Sequence, residues 1–404
     1  MQQIYDQCEA QHGRREFIRR SFCGFGSLAI SSMLRDADLR AASLPSPTAG
    51  KAKSVIFLFM AGGPSHLETF DPKPLLNKLH GQPRPKSFGD AKYQFIQNDA
   101  KLLGSFAKFK KHGNSGIEVS ELFPHCAKCI DDIAVIRSCY GNVVVHSAAQ
   151  YELFTGRVIP GYPSMGSWVV YGLGNESDSM PSYVVMPDPD GALEAGQPMY
   201  ANGFLPASHQ PTMFRPGDRP ILNLDLPAGT APANRRKTVD FIQKINQASL
   251  APSDDELSAR IRSYDLAFKM QMEAPEVFDL ASESKETLDL YGVGVEPTHD
   301  YARRCLLARK LVESGVRFTV VVSGGGPGAK QWDAHKDIEE NHRRMAGETD
   351  KPIAGLLTDL KCRGLLDSTL VLWGGEFGRS PEAQGGVGRD HHNTGFTMWM
   401  AGGG

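Results

Sequence analysis

The chain has 404 residues, and its 44 Lys and Arg against 46 Asp and Glu give a formal net charge of −2. This near-neutral charge, with no basic block, argues against nucleic acid as the main partner, and the length suits one large α/β domain or two modest ones. The seven cysteines form no evenly spaced framework, and the close pair Cys126 and Cys129 has no second CxxC to complete a zinc site. A disulfide scaffold and a cysteine-based zinc module are therefore disfavoured.

Residues 1–42 predict a signal segment of the twin-arginine type. The pair Arg14 and Arg15 precedes the mildly apolar stretch 22–34, and small residues follow in "LRAAS". That stretch is too short and too weakly hydrophobic for a stable anchor, and no other segment could span a bilayer. We therefore expect transient contact with the twin-arginine export machinery and a periplasmic or secreted protein without a stable membrane span. The alternative is a basic amphipathic helix on a cytoplasmic protein.

After a Pro/Ala/Ser linker at 43–49, the unbroken apolar run 55–60 predicts a strand that is buried on both faces. Similar strands are predicted in "DIAVIRS", "SYVVMP", "RFTVVVSGGG" and "STLVLWGGEFG". Helices are predicted at 254–273, 276–291 and 301–314. This alternation predicts an α/β domain over residues 43–404, built on a mostly parallel, doubly wound sheet.

Two segments depart from this pattern. Ten prolines fall between Pro181 and Pro232, which predicts a Pro/Gly-rich insert at about 180–235 that serves as a lid, a binding surface or a disordered loop. The sequence also stops at "WMAGGG", directly after a predicted strand. We expect it to be a fragment whose domain continues beyond Gly404.

Polar clusters follow the predicted strands, where open α/β sheets bind their ligands. Carboxylate and imidazole ligands together suit zinc, manganese or iron, whereas oxygen-rich sites suit magnesium or calcium. One or two such ions would favour displacement at a phosphate or sulfate ester, and an arginine could donate to its oxygens. The candidates are Ser65, His66, Glu68 and Asp71; His146, Ser147 and Arg157; Asp333 and His335; and Glu376, Arg379, Asp390, His391 and His392.

Each cluster also has a purely structural interpretation. Ser65 could cap a short helix, and His146 with Ser147 could begin one. Asp333 could cap the helix that follows it, and Glu376 could pair with Arg379. Adjacent side chains on a strand point in opposite directions, so the two histidines of "GRDHHNTG" are not expected to face one partner.

Four segments together resemble the DUF1501 family of exported bacterial proteins, which are frequent in planctomycetes and related to the alkaline phosphatase and sulfatase superfamily. They are "SVIFLFMAGGPSHLETFDPKP", "WDAH", "KPIAGLLTDLKCRGLLDSTLVLWGGEFGRSP" and "GRDHHNTGFTMWMAGGG". The likeness runs from about Val55 to the last residue. It implies a three-layer α/β/α core like that of alkaline phosphatase.

The resemblance implies a metal shell of Asp333, His335, Glu376 and His392. His392 in "HNTG" resembles the late "HTG" histidine that ligates a metal in alkaline phosphatases, and Asp333 with His335 resembles an earlier Asp/His pair. Glu376 falls near the acid of the superfamily's "DHG" turn. Asp390 or His391 would support His392, and further possible ligands are His66, Glu68 and Asp71.

The segment "HSAAQYELFTGR" resembles the sulfatase signature that ends in Thr-Gly-Arg, which aligns the nucleophile position with His146 and places Ser147 beside it. The Pro and Arg of that signature are absent, so no formylglycine nucleophile can form. The superfamily's first strand also ends in a metal-binding aspartate, where this chain has Ala61 and Gly62. Ser147, Ser65 or a water would replace the nucleophile, and Arg157 or Arg379 would bind the anionic ester.

These features predict an exported hydrolase of sulfate or phosphate esters that depends on one or two divalent ions, whether zinc, manganese, iron, calcium or magnesium. The substrate would be a small-molecule or polysaccharide ester, and the stretch 180–235 would form much of its wall. The alternative is a catalytically inactive member that binds an anionic polymer or a partner protein. A metal-free serine esterase is disfavoured because the sequence contains no G-x-S-x-G elbow.

Overall fold

The computed structural model describes residues 50–89, 95–96, 99–222, 224, 226, 229–248, 255–273, 275–326 and 331–403. The predicted signal segment at 1–42 lies outside these ranges. Among the described residues, no helix is both long enough and apolar enough to cross a membrane.

The strands include each of the five that the sequence predicts. Their bounds are β1 Ser54–Met60, β2 Phe109–His112, β3 Ile117–Ser120, β4 Ile133–Cys139, β5 Tyr183–Met186, β6 Thr212–Met213, β7 Phe318–Ser323, β8 Thr369–Gly374, β9 Gly378–Gln384, β10 Gly388–His392 and β11 Phe396–Ala401.

Seven of these strands form one sheet in the order β4-β11-β8-β1-β7-β5-β6. The pairings of β1 with β7 and β8, and of β5 with β6 and β7, are parallel, whereas β11 runs antiparallel to β4 and β8. The predicted mostly parallel sheet is therefore confirmed. Two antiparallel hairpins, β2-β3 and β9-β10, stand outside it.

The helices pack on both faces of the sheet. They are α1 His66–Thr69, α2 Pro74–Lys78, α3 His146–Thr155, α4 Met165–Leu173, α5 Pro232–Ala248, α6 Asp255–Glu273, α7 Pro275–Phe278, α8 Lys285–Tyr291, α9 His299–Glu313 and α10 Ile338–Cys362. The helices predicted at 254–273 and 301–314 correspond to α6 and α9.

The predicted helix 276–291 is wrong as a single element. Asp279 caps a short 3₁₀ turn by accepting from the amide of Ala281, and Ser284 then caps α8 by accepting from the amide of Thr287. Side chains that cap helices in this way offer the backbone an alternative to a continuous helix, so the run is divided.

Strand β1 lies at the centre of the sheet because its residues supply two separate cores. Ile56 and Leu58 pack in the core that contains α9 and α10, whereas Phe57 and Phe59 pack in the opposite core with Phe154 of α3. All four strand residues are completely buried. Alternation of side chains along a strand explains how one apolar run supports both helix layers, and it gives a three-layer α/β/α arrangement.

The stretch 180–235, where a Pro/Gly-rich insert is predicted, contributes strands to the central sheet. It contains β5 and β6, and Val184 and Val185 of β5 are completely buried in the two cores. Its later residues begin α5 at Pro232. The prolines therefore mark loops around a strand of the central sheet rather than one continuous loop.

A buried cluster of charged side chains ties the helices together at Arg309 of α9, whose side chain is 2% exposed. Its guanidinium donates to Asp359 of α10 at 2.9 Å, to Glu283 at 2.7 Å and to Glu313 at 2.5 Å. Asp359 also accepts from the Tyr291 hydroxyl at 3.0 Å. Each charge therefore has an opposite charge or a hydrogen-bond donor beside it.

We expect Asp359→Leu to lower the free energy of unfolding by about 3 kcal/mol, because it leaves part of a buried guanidinium uncompensated. Urea denaturation followed by circular dichroism would measure this. The matched control is Asp289→Leu, which removes the exposed pair with Lys285 and should cost less than about 1 kcal/mol. Equal losses in the two variants would contradict the importance of this cluster.

Candidate metal centre

Three imidazoles and one carboxylate meet at the carboxyl edge of the sheet. His146 begins α3, Asp333 and His335 lie in the loop between β7 and α10, and His391 lies on β10. One ligand atom from each of the four residues lies within 4.8 Å of every other, which makes a group able to hold a metal ion. We refer to these four residues as the His/Asp cluster.

The three imidazoles point their Nε2 atoms at a single oxygen. Asp333 Oδ1 lies 2.9 Å from Nε2 of His335, 3.3 Å from that of His391 and 3.4 Å from that of His146. The Nε2 atoms of His335 and His391 are themselves 2.9 Å apart. Nitrogens with lone pairs repel one another at this distance, so the arrangement requires a proton or a cation between them.

The other ring nitrogen of each histidine is held by an oxygen. Nδ1 of His146 lies 2.7 Å from Glu376 Oε1, that of His335 lies 2.5 Å from Gln384 Oε1, and that of His391 lies 2.6 Å from the Val144 carbonyl. Because these oxygens accept, each Nδ1 carries a proton, and an Nε2 lone pair is then left for a metal. Histidines that ligate metals show this support from a carboxylate or a carbonyl.

Glu376 is held in place from two sides. Its oxygens accept from the Gly62 amide at 3.0 and 3.2 Å, and the Gln150 side chain lies 3.4 Å away. Gly62 has φ +99°, and a Cβ at this position would lie 2.7 Å from the Asp333 backbone nitrogen. Only glycine lets the turn after β1 pass this close to the loop that carries Asp333.

Arg379 of β9 fixes the carboxylate at the centre of the cluster. Its Nη2 donates to Asp333 Oδ1 at 2.6 Å and to the Gly62 carbonyl, and its Nε donates to the Gly63 carbonyl at 2.9 Å. The side chain is completely buried. Since these contacts occupy the guanidinium, Arg379 acts on Asp333 in this structure, not on a ligand from solvent.

Burial and charge move the pKa values of this cluster in opposite directions. Burial alone would lower the pKa of His146, but the carboxylates of Asp333 and Glu376 raise it to about 9. Burial lowers the pKa of His391 to about 4, although Asp333 opposes the shift. Burial would raise the pKa of Asp333, but the three imidazoles around its Oδ1 and the charge of Arg379 hold it well below its usual range.

The residues of the cluster fit a divalent transition metal. Three imidazoles and one carboxylate, with no thiolate, suit zinc, manganese or iron. His146 Nε2 is a buried nitrogen without a hydrogen-bond partner among the described residues, and it faces Asp333 Oδ1. The side chains of His335 and Asp333 are 27% and 15% exposed, which leaves one side of the cluster open to solvent.

Several predicted residues form a second, closed cluster instead. Ser65 is completely buried, its hydroxyl donates to Glu68, and its amide donates to His342 Nε2 at 2.8 Å. Glu68 Oε1 accepts from Arg389 at 2.7 and 3.1 Å. This network fixes the segment after β1 and gives Ser65 no access to a substrate.

The remaining predicted residues are not members of the His/Asp cluster. The His392 ring stacks beside that of His66, with centroids 6.4 Å apart. Asp71 pairs with Lys73 at 2.8 Å, and Asp390 accepts from the amides of His391 and Phe95.

Ser147 is half-buried in the first turn of α3, beside His146. Arg157 lies beyond the C-terminal end of the same helix. The guanidinium of Arg157 stacks on the Tyr162 ring at 5.4 Å. Since α3 has 10 residues, Arg157 is about 15 Å from His146 along the helix axis.

Of the purely structural roles predicted for these residues, only some are found. His146 does begin a helix, but Asp337, not Asp333, caps α10 by accepting from the Glu340 amide. Glu376 and Arg379 bond to different partners, Gly62 and Asp333.

The family resemblance aligns His146 with a nucleophile position and does not identify it as a ligand. The available signal is its position at the start of α3, after the loop that follows β4. The supporting roles of Gln384 and the Val144 carbonyl left no pattern in the sequence.

Comparison with known proteins gives one sequence match over most of the chain. A family model described as "Protein of unknown function (DUF1501)" matches residues 52–404. No curated protein matches the chain.

Among the solved structures that are similar to this chain, three share 9 to 11% of its sequence. A mutant TAB5 alkaline phosphatase with Mg bound in its M3 site is 11% identical, with a TM-score of 0.35, and 88% of this chain and 92% of that chain are covered. Alkaline phosphatase from the Antarctic bacterium TAB5 is also 11% identical, with a TM-score of 0.34 and the same coverage. The structure of Ps i-CgsB is 9% identical, with a TM-score of 0.34, and the match covers 86% of this chain and 65% of that chain.

The two adjacent histidines should differ in their effect on metal content. We expect His391→Ala to reduce bound metal by about tenfold or more, since it removes one of four ligands. His392→Ala is the matched control and should keep the wild-type content. Elemental analysis of proteins purified without chelator or metal resin would measure this, with circular dichroism to verify folding. Loss of metal in His392→Ala alone would overturn our choice of ligand.

Binding of a metal ion should displace a proton from His146, whose pKa in the metal-free protein is about 9. Protons compete with the ion for Nε2, so the apparent affinity should rise with pH, by about tenfold per unit between pH 5 and 8. A pH indicator in weak buffer should detect about one proton released per zinc ion at pH 7. The variant His146→Gln should release none, and an equal release from both proteins would contradict this assignment.

Proposed function

We propose that this chain, which belongs to the DUF1501 family, binds one divalent metal ion in its His/Asp cluster and hydrolyses phosphate or sulfate esters there. The observation that carries the proposal is the convergence of three Nε2 atoms on Asp333 Oδ1 while each Nδ1 is held by an oxygen. Such support fixes ring orientation and tautomer, as catalytic metal sites require.

The protein side chains would prepare the site for this reaction. Asp333 would ligate the ion and offset part of its charge, and Arg379 would keep that carboxylate in position. Glu376 would hold the His146 ring, and the exposed edge at His335 would admit the ester. When bound, a divalent ion would polarise an ester oxygen and lower the pKa of water.

We favour water as the attacking nucleophile. Ser65 is completely buried and bonded to Glu68. Ser147 follows His146 on α3, and successive side chains of a helix project about 100° apart, so the two do not face the same point. No covalent seryl intermediate is then required, and the hydrolase prediction does not depend on either serine.

A second candidate function is binding without catalysis. Arg379 is occupied by Asp333 and by the carbonyls of Gly62, Gly63 and Arg389. Arg157 lies beyond the C-terminal end of α3, about 15 Å from His146 along the helix axis. Neither arginine is therefore in position to hold the ester's oxygens beside the His/Asp cluster. A metal-loaded module that binds an anionic polymer or a partner protein would fit that arrangement.

We further propose that the protein is exported to the periplasm or beyond. The support is the pair Arg14 and Arg15 before a short apolar stretch. On this proposal the substrate would be a small-molecule or polysaccharide ester outside the cytoplasm.

Hydrolysis should be tested with p-nitrophenyl phosphate and p-nitrocatechol sulfate, using protein loaded with zinc or manganese. We expect Asp333→Asn to lower kcat/KM by at least about 10³, because the negative charge of this ligand is lost. Ser147→Ala should keep more than about half of the activity, since water attacks directly.

The serine variant also separates the alternatives. A fall of similar size in Ser147→Ala, with metal content unchanged, would show that Ser147 is the nucleophile. If the loaded wild type turned over neither ester class, the binding function would replace the hydrolase proposal.

A further inference from the structure

A line of aromatic rings lies on the surface near the C-terminal end of α3. Neighbouring ring centroids along this line are 6.3, 5.9, 5.9 and 5.3 Å apart. In order, the rings belong to Tyr162, Phe204, Trp168, Tyr171 and His209. We call these five residues the aromatic strip.

The strip is open to solvent. Phe204 is 65% exposed and Tyr171 is 42% exposed, whereas Tyr162, Trp168 and His209 are half-buried. Scattered exposed apolar residues need no explanation, but here five rings contact one another in sequence and form a continuous patch, in which successive rings meet edge to face at 74 to 87°. Such a surface marks a site of interaction.

Each end of the strip carries a cationic side chain. The Arg157 guanidinium lies over the Tyr162 ring at 5.4 Å. At the other end, the 3₁₀ turn Ala207–His209 packs against α6, which carries the exposed Arg262. Burial lowers the pKa of His209, and the charge of Arg262 lowers it further. The cationic ends of the strip therefore favour an anionic ligand.

The chemistry of the rings favours a sugar polymer over an apolar protein face. Four of the five rings carry a hydroxyl, an indole N–H or an imidazole, so each presents an apolar face and a polar edge. A pyranose ring has the same division, with C–H groups on its faces and hydroxyls at its rim. A line one ring wide also suits an extended chain better than a compact protein surface.

We propose that the aromatic strip binds an acidic polysaccharide, whose sugar rings stack on the exposed aromatic faces and whose sulfate or carboxylate groups meet Arg157 and Arg262. Arg157 is about 15 Å from His146, so the strip is separate from the His/Asp cluster. The inference does not rest on the hydrolase proposal.

The test is affinity electrophoresis of the full chain in gels containing dextran sulfate, with neutral dextran of the same length for comparison. Wild type should be retarded by dextran sulfate and less by dextran. The double variant Phe204→Ala/Tyr171→Ala should lose at least about tenfold in affinity, the size expected for two stacked rings. Phe241→Ala, which removes a ring that is 64% exposed on α5, is the matched control and should bind as wild type.

Three further results keep the proposal falsifiable. Arg157→Gln should weaken binding to dextran sulfate and reduce its dependence on salt, because one charged contact is lost. His391→Ala, which disables the His/Asp cluster, should bind as wild type. Unchanged binding by the double variant would overturn the proposal, since attraction would then rest on charge alone. The proposal would also be overturned if the wild-type protein bound neither polymer but formed a dimer that Phe204→Ala abolished.

Discussion

The site depends on a single carboxylate oxygen, Asp333 Oδ1, on which one guanidinium and three imidazoles converge. A mostly buried anion is costly unless opposite charges and donors surround it. Here they come from β9, α3, β10 and the loop after β7, so the compensation of one charge joins four parts of the chain. The hydrogen bond from Arg379 to the β1 turn extends this connection into the centre of the sheet.

The turn after β1 shows how a glycine can change the character of such a site. Its Gly62 amide donates to Glu376, and that carboxylate in turn holds His146. An aspartate expected by family resemblance at this turn would add a ligand, whereas glycine adds a backbone donor and room for the neighbouring loop. Glu376 thereby orients the His146 imidazole and is not available as a ligand of a second ion.

Much of the fold follows from sequence pattern, because the apolar runs of β1, β7 and β8 are unbroken and are followed by glycines. The same pattern places Asp333, His335 and Glu376 at the carboxyl edge of the sheet. The sequence does not reveal which histidine of "GRDHHNTG" faces the cluster. That choice is made by an irregularity of β10 between Arg389 and His391, a local feature that depends on its pairing with β9. The prediction of one helix over 276–291 is wrong for a similar local reason, because caps at Asp279 and Ser284 divide the segment despite its helical periodicity.

The ligands of the His/Asp cluster come from positions as distant as His146 and His391, on elements that meet only when the central sheet is complete. Few of its donors can be brought together by a short segment, and closing such long loops in an unfolded chain is entropically unfavourable. The centre therefore exists only after the domain has folded. The metal it contains would then be decided by the ions available in the compartment where folding is completed, not by the compartment in which the protein later works.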